Sequence, residues 1–542
     1  MRTRDSLILL AFSPLVVLAA PNVTLDNSTV TGVENGTLHK FLGIPYAESP
    51  VEDLRFRLPV NITSYNQSFD ATNYGFTCIA QNSTPSSDFV KAVGNLASFF
   101  FGDDNTPKTP QSEDCLTLNV IRPSNTTDIG SLPVVVYVYG GGFEYGSSIS
   151  YDKMGTTIVG RSLELGKPVI YVSTNYRLNA FGFIASQEVL TNGVANIGLQ
   201  DQRSALQWVK TFIGAFGGNS SRVTLWGESA GAIATSLQML AYDGNTGDLF
   251  QSAFMQSGAP IPVGNMTEGQ VYYDKLVQDA GCGGANDTLA CLRSAPLGNL
   301  TSAIGYSPGI WSYQSLVLAW TPHADGAFLT DNPQRLVEND KVAKIPMVSG
   351  NCDDEGTLFA LSSLNVTSDD EFQDYVKTIW LPNATDDQLA PLFDAYPDDR
   401  EDGSPFNTSI ANAITSQFKR IAAFEGDSVF QAPRRYFLQQ RVGKQPIWSY
   451  LSKRLKYLPV LGSFHSSDQY LDLLNDYVIY FTNNLDPNTG SGTEWPQYTS
   501  DAPQMYTFHA IETDSSDNSL TTDDYRTEGI SILTNLSLAY PI

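Results

Sequence analysis

The chain has 542 residues, of which 42% are hydrophobic and 11% aromatic, so it can bury a large core as one α/β unit or as two or three domains. Its formal net charge of -25 argues against binding to nucleic acid or to acidic membrane surfaces. Such an acidic chain fits a soluble exported protein.

The first twenty residues have the pattern of a secretory signal peptide. Arg2 and Arg4 precede an apolar stretch at 7–18, and the small residues Ala19 and Ala20 suit cleavage. The apolar stretch is short for a membrane anchor. We therefore predict that residues 1–20 are removed. No repeat or low-complexity linker divides the remainder, so residues 21–542 are predicted to form one domain.

The sequence also predicts a glycosylated surface. About fifteen Asn-x-Ser/Thr sequons are present, and such sequons are acceptors for N-linked glycans in exported proteins. They include Asn35, Asn125, Asn219, Asn365 and Asn535.

An amphipathic helix is predicted shortly after Cys78. The segment opens with Pro85-Ser86-Ser87-Asp88 and ends at Gly102. Its apolar residues recur at helical spacing on one face, and most such helices pack on a core. These residues are Phe89, Val93, Leu96, Ala97 and Phe100.

Short apolar runs recur along the chain and predict buried β-strands. Helical patterns such as 199–212 lie between several of them, which indicates a mostly parallel sheet covered on both faces. In such sheets, ligands bind at the carboxyl ends of the strands. The runs lie at 134–139, 169–174, 223–226, 253–256, 345–349 and 447–451.

One serine lies on a turn between a predicted strand and a predicted helix. Gly227-Glu228-Ser229-Ala230-Gly231 follows the run 223–226 and precedes the helix-prone stretch 232–240. Glycines two residues before and two after the serine permit a sharp turn that exposes its hydroxyl. Ser229 is therefore a candidate nucleophile, and a turn of small residues without catalytic role is the alternative.

A glycine run follows the strand predicted at 134–139. Gly140-Gly141-Gly142-Phe143 can offer two backbone N–H groups to a developing oxyanion, and Ala230, after the candidate nucleophile, can offer a third. A phosphate-binding loop is the competing interpretation, but the Gly-Lys-Ser/Thr ending is missing.

A serine nucleophile needs a histidine base. The chain has four histidines, His39, His323, His465 and His509. His465 is selected by elimination, because it follows the last predicted strand on a glycine-bearing loop, in the chain order of nucleophile, acid and histidine.

The acid is expected after the strand predicted at 345–349. Three consecutive carboxylates follow it, Asp353, Asp354 and Glu355. All three cannot be buried, so we expect at least two to face solvent. Glu355, next to Gly356, is the best placed to orient His465, and Asp353 and Asp354 remain open alternatives.

Five cysteines predict disulfides with one cysteine left over. Cys282 and Cys291 are close enough for a local bridge, and Cys78 and Cys115 would close a longer loop. Cys352 is then unpaired, and we expect a small buried residue rather than a reactive thiol.

Several motifs together resemble the type-B carboxylesterase/lipase family, which also contains the cholinesterases. The resemblance runs from about residue 25 to the C-terminus and is closest to the fungal lipase and sterol-esterase branch. Besides the serine pentapeptide, it is carried by Ser112-Glu113-Asp114-Cys115-Leu116-Thr117-Leu118-Asn119-Val120, Asn196-Ile197-Gly198-Leu199-Gln200-Asp201-Gln202, Met255-Gln256-Ser257-Gly258 and Asp354-Glu355-Gly356-Thr357.

The resemblance implies an α/β-hydrolase fold with a large, mostly parallel sheet. It implies that Ser229, Glu355 and His465 form a catalytic triad, and that Gly141, Gly142 and Ala230 donate to the oxyanion. It further implies a Cys78–Cys115 bridge and a Cys282–Cys291 bridge. Ser257 would lie near the triad, and Leu358 and Phe359 would border the acyl site.

The loop 78–115 matches the lid of related lipases. We therefore predict a mobile lid that presents an apolar face, including Phe89 and Phe100, above a deep apolar acyl tunnel. The same face is a candidate for homodimer contact. The loop has no tryptophan to bind a choline cation, which argues against choline esters.

These observations predict a secreted lipase or sterol esterase that cleaves lipophilic long-chain esters at a lipid–water interface or in micelles. An esterase for smaller or aromatic esters, such as feruloyl or acetyl esters, is the main alternative, and a non-catalytic adhesion relative is a weaker one. No cofactor or metal is expected, because the acidic pairs of the chain lack the ligand spacing of a calcium loop.

Overall fold

The structure is a computed structural model, and it describes residues 20–81, 109–125, 131–472, 474–490, 492–509 and 518–541. The predicted signal peptide, apart from its last residue, and the predicted amphipathic helix with Phe89 and Phe100 lie outside this part of the chain.

An eleven-stranded sheet forms the centre of the described molecule, in the order β14-β13-β12-β11-β10-β9-β7-β8-β6-β4-β3. A separate three-stranded sheet has the order β1-β2-β5. The strands are β1 Asn22–Leu25, β2 Ser28–Thr31, β3 Val33–Asn35, β4 Leu38–Pro45, β5 Phe69–Asp70, β6 Thr117–Pro123, β7 Leu132–Val138, β8 Ile170–Thr174, β9 Gly218–Glu228, β10 Ser252–Gln256, β11 Met347–Cys352, β12 Ile447–Ser452, β13 Gln504–Phe508 and β14 Ser519–Thr522.

Helices connect the strands of the large sheet. The α-helices of the described residues are α1 Asp152–Glu164, α2 Asn179–Phe183, α3 Gln187–Thr191, α4 Ile197–Phe212, α5 Ala230–Gly244, α6 Gln270–Asp279, α7 Thr288–Ser294, α8 Leu297–Gly305, α9 Pro333–Glu338, α10 Asp369–Tyr375, α11 Asp386–Ala395, α12 Phe418–Gly426, α13 Ala432–Arg441, α14 Asn475–Asn484 and α15 Thr527–Ala539. Single turns of 3₁₀ or π geometry occur at Glu52–Leu54, Ser148–Tyr151, Ile213–Phe216, Phe359–Ser363, Val376–Trp380, Asp427–Gln431 and Ser467–Asp472.

The central strands run parallel, as their sequences predict. Strand β9 pairs in parallel with β7 and β10, and β11 pairs in parallel with β10 and β12. Strands β7, β10, β11 and β12 are buried at every residue, which requires helices on both faces of the sheet. Helices α1 and α14 pack against each other and against the sheet, and α4 and α5 form a second group. The predicted α/β architecture is therefore confirmed.

The topology brings five chain segments to one edge of the sheet. Because β7, β9, β10, β11 and β12 are parallel, the loops after their last residues leave the sheet on the same side. These loops carry the glycine run, the candidate serine, Ser257, the three acidic residues and His465.

Both disulfides named above are present. Cys78 is bridged to Cys115 and Cys282 to Cys291, and Cys352 is a free, buried cysteine. The Cys78–Cys115 bridge closes the loop that carries the predicted lid. No helix of the described part is long and apolar enough to cross a membrane.

Candidate active site

Ser229 lies on a strained turn between β9 and α5. Its φ of 57° and ψ of -129° place the residue outside the backbone regions that L-residues favour. The backbone on either side holds this conformation, since the Ser229 N–H donates to the Gln256 carbonyl over 2.9 Å and the Ser229 carbonyl accepts from Ile233. A strained serine between a strand and a helix is the geometry of a nucleophile elbow.

The glycines around Ser229 allow segments of the backbone to pack closely. A Cβ atom on Gly227 would lie 2.2 Å from the Gly231 carbonyl oxygen, and one on Gly231 would lie 2.0 Å from the Val138 carbonyl oxygen. A Cβ on Gly140 would lie 2.7 Å from the Ser229 Cβ. The glycine run after β7 is therefore in contact with the candidate nucleophile.

The loop after β7 leaves backbone donors unused. Gly141 and Gly142 have φ angles of 103° and 63°, which glycine adopts without strain. Within the described residues, no group accepts a hydrogen bond from the N–H of Gly141, Gly142 or Ala230. Ala230 is the first residue of α5, where the N–H has no partner inside the helix. Three free donors thus lie beside the elbow.

Glu355 and His465 form a buried pair. The His465 Nδ1 lies 2.5 Å from the Glu355 Oε2, and the two side chains are 6% and 0% exposed. An isolated strand-like pairing of Asp354 with Phe464 holds their two loops together. The other oxygen of Glu355 accepts from the Cys352 N–H over 2.7 Å and from the Asn351 amide over 3.2 Å. Both carboxylate oxygens of Glu355 therefore have hydrogen-bond partners, which hold the side chain in place.

The second ring nitrogen of His465 is available. It is buried and has no hydrogen-bond partner among the described residues, and the closest acidic oxygen to it is the Glu228 Oε1 at 3.6 Å. Burial lowers the pKa of His465, but the Glu355 carboxylate and its hydrogen bond outweigh burial, so the pKa lies above its usual value. An oriented imidazole with a free nitrogen can accept a proton from a hydroxyl.

The expectation that two of the three acidic residues face solvent is wrong. Asp353, Asp354 and Glu355 are 7%, 0% and 1% exposed. Lys456 compensates the first two, with its Nζ at 2.5 Å from Asp353 and 2.8 Å from Asp354. Asp354 also accepts hydrogen bonds from Ser404, Phe406 and Ser463. The three carboxylates are buried because Lys456 pairs with Asp353 and Asp354 and further hydrogen bonds satisfy Asp354 and Glu355, and only Glu355 reaches the histidine.

Two further buried carboxyls lie at the site, and the sequence patterns above did not indicate them. Glu228 precedes the serine, accepts a hydrogen bond from Ser466, and has a pKa raised by burial to about 7. Asp468 accepts from the Tyr450 hydroxyl over 2.6 Å and from the Gln256 amide over 3.3 Å. Burial raises the pKa of Asp468. The sequence did contain a signal for both. Glu228 is an acidic residue at the end of an apolar strand, and Asp468 follows His465 by three residues.

Ser257 and Cys352 lie behind the Glu355–His465 pair. Both are fully buried, and the Ser257 hydroxyl lies 3.9 Å from the Cys352 sulfur. Burial also raises the pKa of the Cys352 thiol well above its usual range, so the thiolate is disfavoured. Ser257 therefore lies next to Cys352, the residue whose N–H donates to Glu355.

Apolar side chains surround the base and the glycine run. The rings of Phe359 and Phe430 lie 5.1 Å and 4.6 Å from the His465 ring. The terminal carbons of Ile310 and Leu318 lie 3.2 Å and 3.3 Å from a Cβ placed on Gly142. Leu358 is 8% exposed and precedes the turn that carries Phe359.

Within the described part of the chain, no group of three or more His, Cys, Asp or Glu side chains is arranged to hold a metal ion. The acidic residues of the site are occupied by a lysine, a histidine, hydroxyls and backbone N–H groups instead.

Comparison with known proteins identifies the family. Residues 19–527 match the model of the carboxylesterase family. The chain is 43% identical to Lipase 2 of Diutina rugosa over 503 residues, covering 89% of this chain and 91% of that one. It is 37% identical to a secreted triacylglycerol lipase of Gibberella zeae over 538 residues, covering 95% and 90%.

A solved structure shows the same fold. Aspergillus niger EstA superposes with a TM-score of 0.81 at 26% identity, covering 97% of this chain and 99% of that one. The strands, the elbow and the buried Glu–His pair fit this assignment. The chain belongs to the carboxylesterase family, and it is a serine carboxylester hydrolase with the α/β-hydrolase fold.

Proposed function

We propose that this protein is a secreted lipase or sterol esterase that hydrolyses lipophilic long-chain esters through Ser229, His465 and Glu355. The free Nε2 atom of a histidine fixed by Glu355 is the observation that carries the assignment of the triad. The names of the relatives support the substrate class, since they are a lipase and a triacylglycerol lipase.

The first chemical step is attack of the Ser229 hydroxyl on the ester carbonyl. His465 takes the hydroxyl proton at Nε2, and the Glu355 carboxylate stabilises the imidazolium that forms. The N–H groups of Gly141, Gly142 and Ala230 bind the oxyanion, and each such donor contributes about 3–4 kcal/mol to the transition state. The alcohol then leaves with the proton from His465, and an acyl-Ser229 remains.

Water completes the cycle. His465 removes a proton from a water molecule, the hydroxide attacks the acyl carbonyl, and the same donors hold the second oxyanion. The carboxylic acid leaves as Ser229 regains its proton. No cofactor takes part in this sequence.

The surroundings of the triad favour an apolar acyl chain. Ile310 and Leu318 cover Gly142, and Phe359 and Phe430 flank the base. A hydrocarbon chain placed there loses water contact without leaving polar groups unpaired. The lid predicted within loop 78–115, with Phe89 and Phe100, and the homodimer contact proposed for it belong to residues outside the described part.

Export and glycosylation are part of the proposal. The signal peptide at 1–20 and the single domain at 21–542 rest on the sequence pattern. Four of the named sequon asparagines, Asn35, Asn125, Asn365 and Asn535, are exposed, as glycan attachment requires.

An ester panel tests the substrate class. The full chain is assayed on triolein, cholesteryl oleate, methyl ferulate and an acetyl ester, above and below the solubility limit and with detergent. We expect the highest kcat/KM on the two oleoyl esters and a rise in rate above the solubility limit. A preference for methyl ferulate or the acetyl ester would identify the smaller-ester hydrolase instead.

A pair of serine variants tests the nucleophile. Ser229→Ala should lose about 10⁴- to 10⁶-fold in kcat on every ester in the panel. Ser500→Ala is the matched control and should keep full activity, because Ser500 is exposed and its hydroxyl hydrogen-bonds only to Asp501 among the described residues. Turnover by Ser229→Ala at the rate of the control would refute the triad.

A further inference from the structure

A carboxyl in the loop that carries the oxyanion donors has no part in the reaction above. Glu144 lies two residues after Gly142 and is fully buried. No lysine, arginine or histidine of the described residues forms an ion pair with it. An unpaired carboxylate is costly to bury, so its presence next to the donor loop needs a physical reason.

Glu144 joins three segments of the chain. Its N–H donates to the Gly141 carbonyl over 3.0 Å, which closes the turn of the donor loop. Its carbonyl accepts from the Gln81 N–H over 2.8 Å, and its Oε2 accepts from the Ile310 N–H over 3.1 Å. The donor loop is thereby connected to the segment after Cys78 and to the segment whose Ile310 covers Gly142.

Two acceptors beside Gly309 lack donors. Glu144 Oε1 and Gln81 Oε1 are both buried and have no partner among the described residues. A Cβ on Gly309 would lie 3.3 Å from Glu144 Oε1 and 3.2 Å from Gln81 Nε2, so the two side chains meet at this glycine. A proton on Glu144 makes the buried side chain neutral, so that an oxygen without a donor is not also a charged one.

Burial is consistent with a neutral acid. It raises the pKa of Glu144 to about 8, and the Ile310 N–H offsets only part of this shift. The neighbouring titratable group on the same loop is Tyr145, whose pKa is itself raised far above the working range by burial and by the Glu144 charge. The Gln81 and Gly309–Ile310 segments present amide groups rather than charges to Glu144. Burial without a nearby cation therefore favours the protonated side chain.

We propose that Glu144 is a positioning residue whose neutral side chain fastens the donor loop to the Ile310 segment, so that Gly141 and Gly142 meet the oxyanion. The proposal rests on the proposed function of this site. Loss of the proton has two effects. It leaves a buried carboxylate without a compensating cation among the described residues, and it places a negative charge next to the loop of Gly141 and Gly142. Both raise the barrier to acyl transfer.

The proposal predicts a specific dependence on pH. Activity on a soluble short-chain ester should fall as the pH rises through about 8, because Glu144 then ionises. The fall should appear in kcat rather than in KM, since the donors act on the transition state more than on the bound ester. A structural role alone would lower stability without producing this split.

Three variants of the full chain test the proposal. Glu144→Gln keeps an acceptor for the Ile310 N–H and cannot ionise. It should retain kcat within about threefold at pH 7 and lose the alkaline fall. Glu144→Ala removes the connection and should lower kcat about tenfold to hundredfold, with KM nearly unchanged. Glu425→Gln is the matched control, because Glu425 is also buried with a pKa of about 8 but binds Tyr375 and Ser315.

The experiment distinguishes a misfolded variant, a failure of the Glu144 proposal and a failure of the proposed function. Active-site titration and the melting temperature establish the folded fraction of each variant before kcat is compared. An alkaline fall that persists in Glu144→Gln, or that disappears in Glu425→Gln instead, overturns the proposal. Equal activity of Glu144→Ala and wild type overturns it as well. If wild type hydrolyses no ester at any pH, the proposed function fails, which is a different result.

Discussion

The Nδ1 atom of His465 lies 2.5 Å from Oε2 of Glu355, at a point where the two side chains are almost fully enclosed. The loops that carry them are 110 residues apart in sequence and leave neighbouring parallel strands, β11 and β12. This contact fixes which ring nitrogen is available, because Nδ1 is engaged and Nε2 has no hydrogen-bond partner among the described residues.

The pair predicts an acid limit to activity. Burial lowers the pKa of His465 and Glu355 raises it more, so the net shift is upward from 6.5. Since only the neutral ring accepts a proton, kcat/KM should fall with decreasing pH at an apparent pKa above 6.5. In Glu355→Gln, kcat should drop about 10⁴-fold and the residual activity should persist to lower pH. A profile that stays flat below pH 5 would contradict this role for His465.

Removal of a glycine at the elbow should disrupt folding. In Gly231→Ala the new methyl would overlap the Val138 carbonyl, so we expect a loss of about 3 kcal/mol or more and no activity. Gly160→Ala is the control, because that glycine lies in helix α1 and an added methyl group there would have no neighbour within 4 Å. It should gain about 0.5–1 kcal/mol. Thermal unfolding of both proteins measures the contrast, and equal melting temperatures would disprove the close packing.

Lys456 should be essential to the stability of the acidic loop, the segment after β11 that carries Asp353, Asp354 and Glu355. Lys456→Met leaves Asp353 and Asp354 buried without a cation and should cost about 3–5 kcal/mol of stability. Lys275→Met, which removes an exposed ion pair with Asp279, should cost less than about 0.5 kcal/mol. Denaturant unfolding compares the two. Similar losses would mean that the loop does not depend on Lys456.

Glu425 should make stability fall with rising pH. Burial raises its pKa to about 8 in the folded protein, against an ordinary value of 4.5. Between these values the folded state holds a proton that the unfolded state has released, so rising pH favours unfolding by up to about 1.4 kcal/mol per pH unit. The melting temperature of Glu425→Gln relative to wild type should therefore increase from pH 5 to pH 8. A difference that is independent of pH would show that Glu425 is ionised throughout.

Much of the site can be predicted from local sequence, because local backbone geometry creates it. The central apolar runs are parallel strands in the structure. The glycines around Ser229 indicated a tight turn, and the backbone angles of Ser229 show the strain of that turn. The free N–H groups of Gly141 and Gly142 also follow from a glycine run at the end of a strand. These features depend on residues that are close together in the chain.

The acidic loop could not be predicted in this way. Whether Asp353 and Asp354 are buried depends on Lys456, about a hundred residues later, and on backbone donors at Phe406 and Ser463. The pKa of Glu228 depends on a fold that encloses it beside His465. A short stretch of sequence cannot show that a buried charge is compensated by a residue far along the chain.

The close approach of Gly231 to Val138 changes how the serine pentapeptide should be used to classify sequences. The two glycines are needed in this chain because a Cβ at either position would collide with backbone atoms, whether or not the serine between them reacts. A relative that had lost catalysis would still need them in order to fold. Searches for active members should therefore require a histidine and a carboxylate at the positions of His465 and Glu355, where folding alone imposes no such pair.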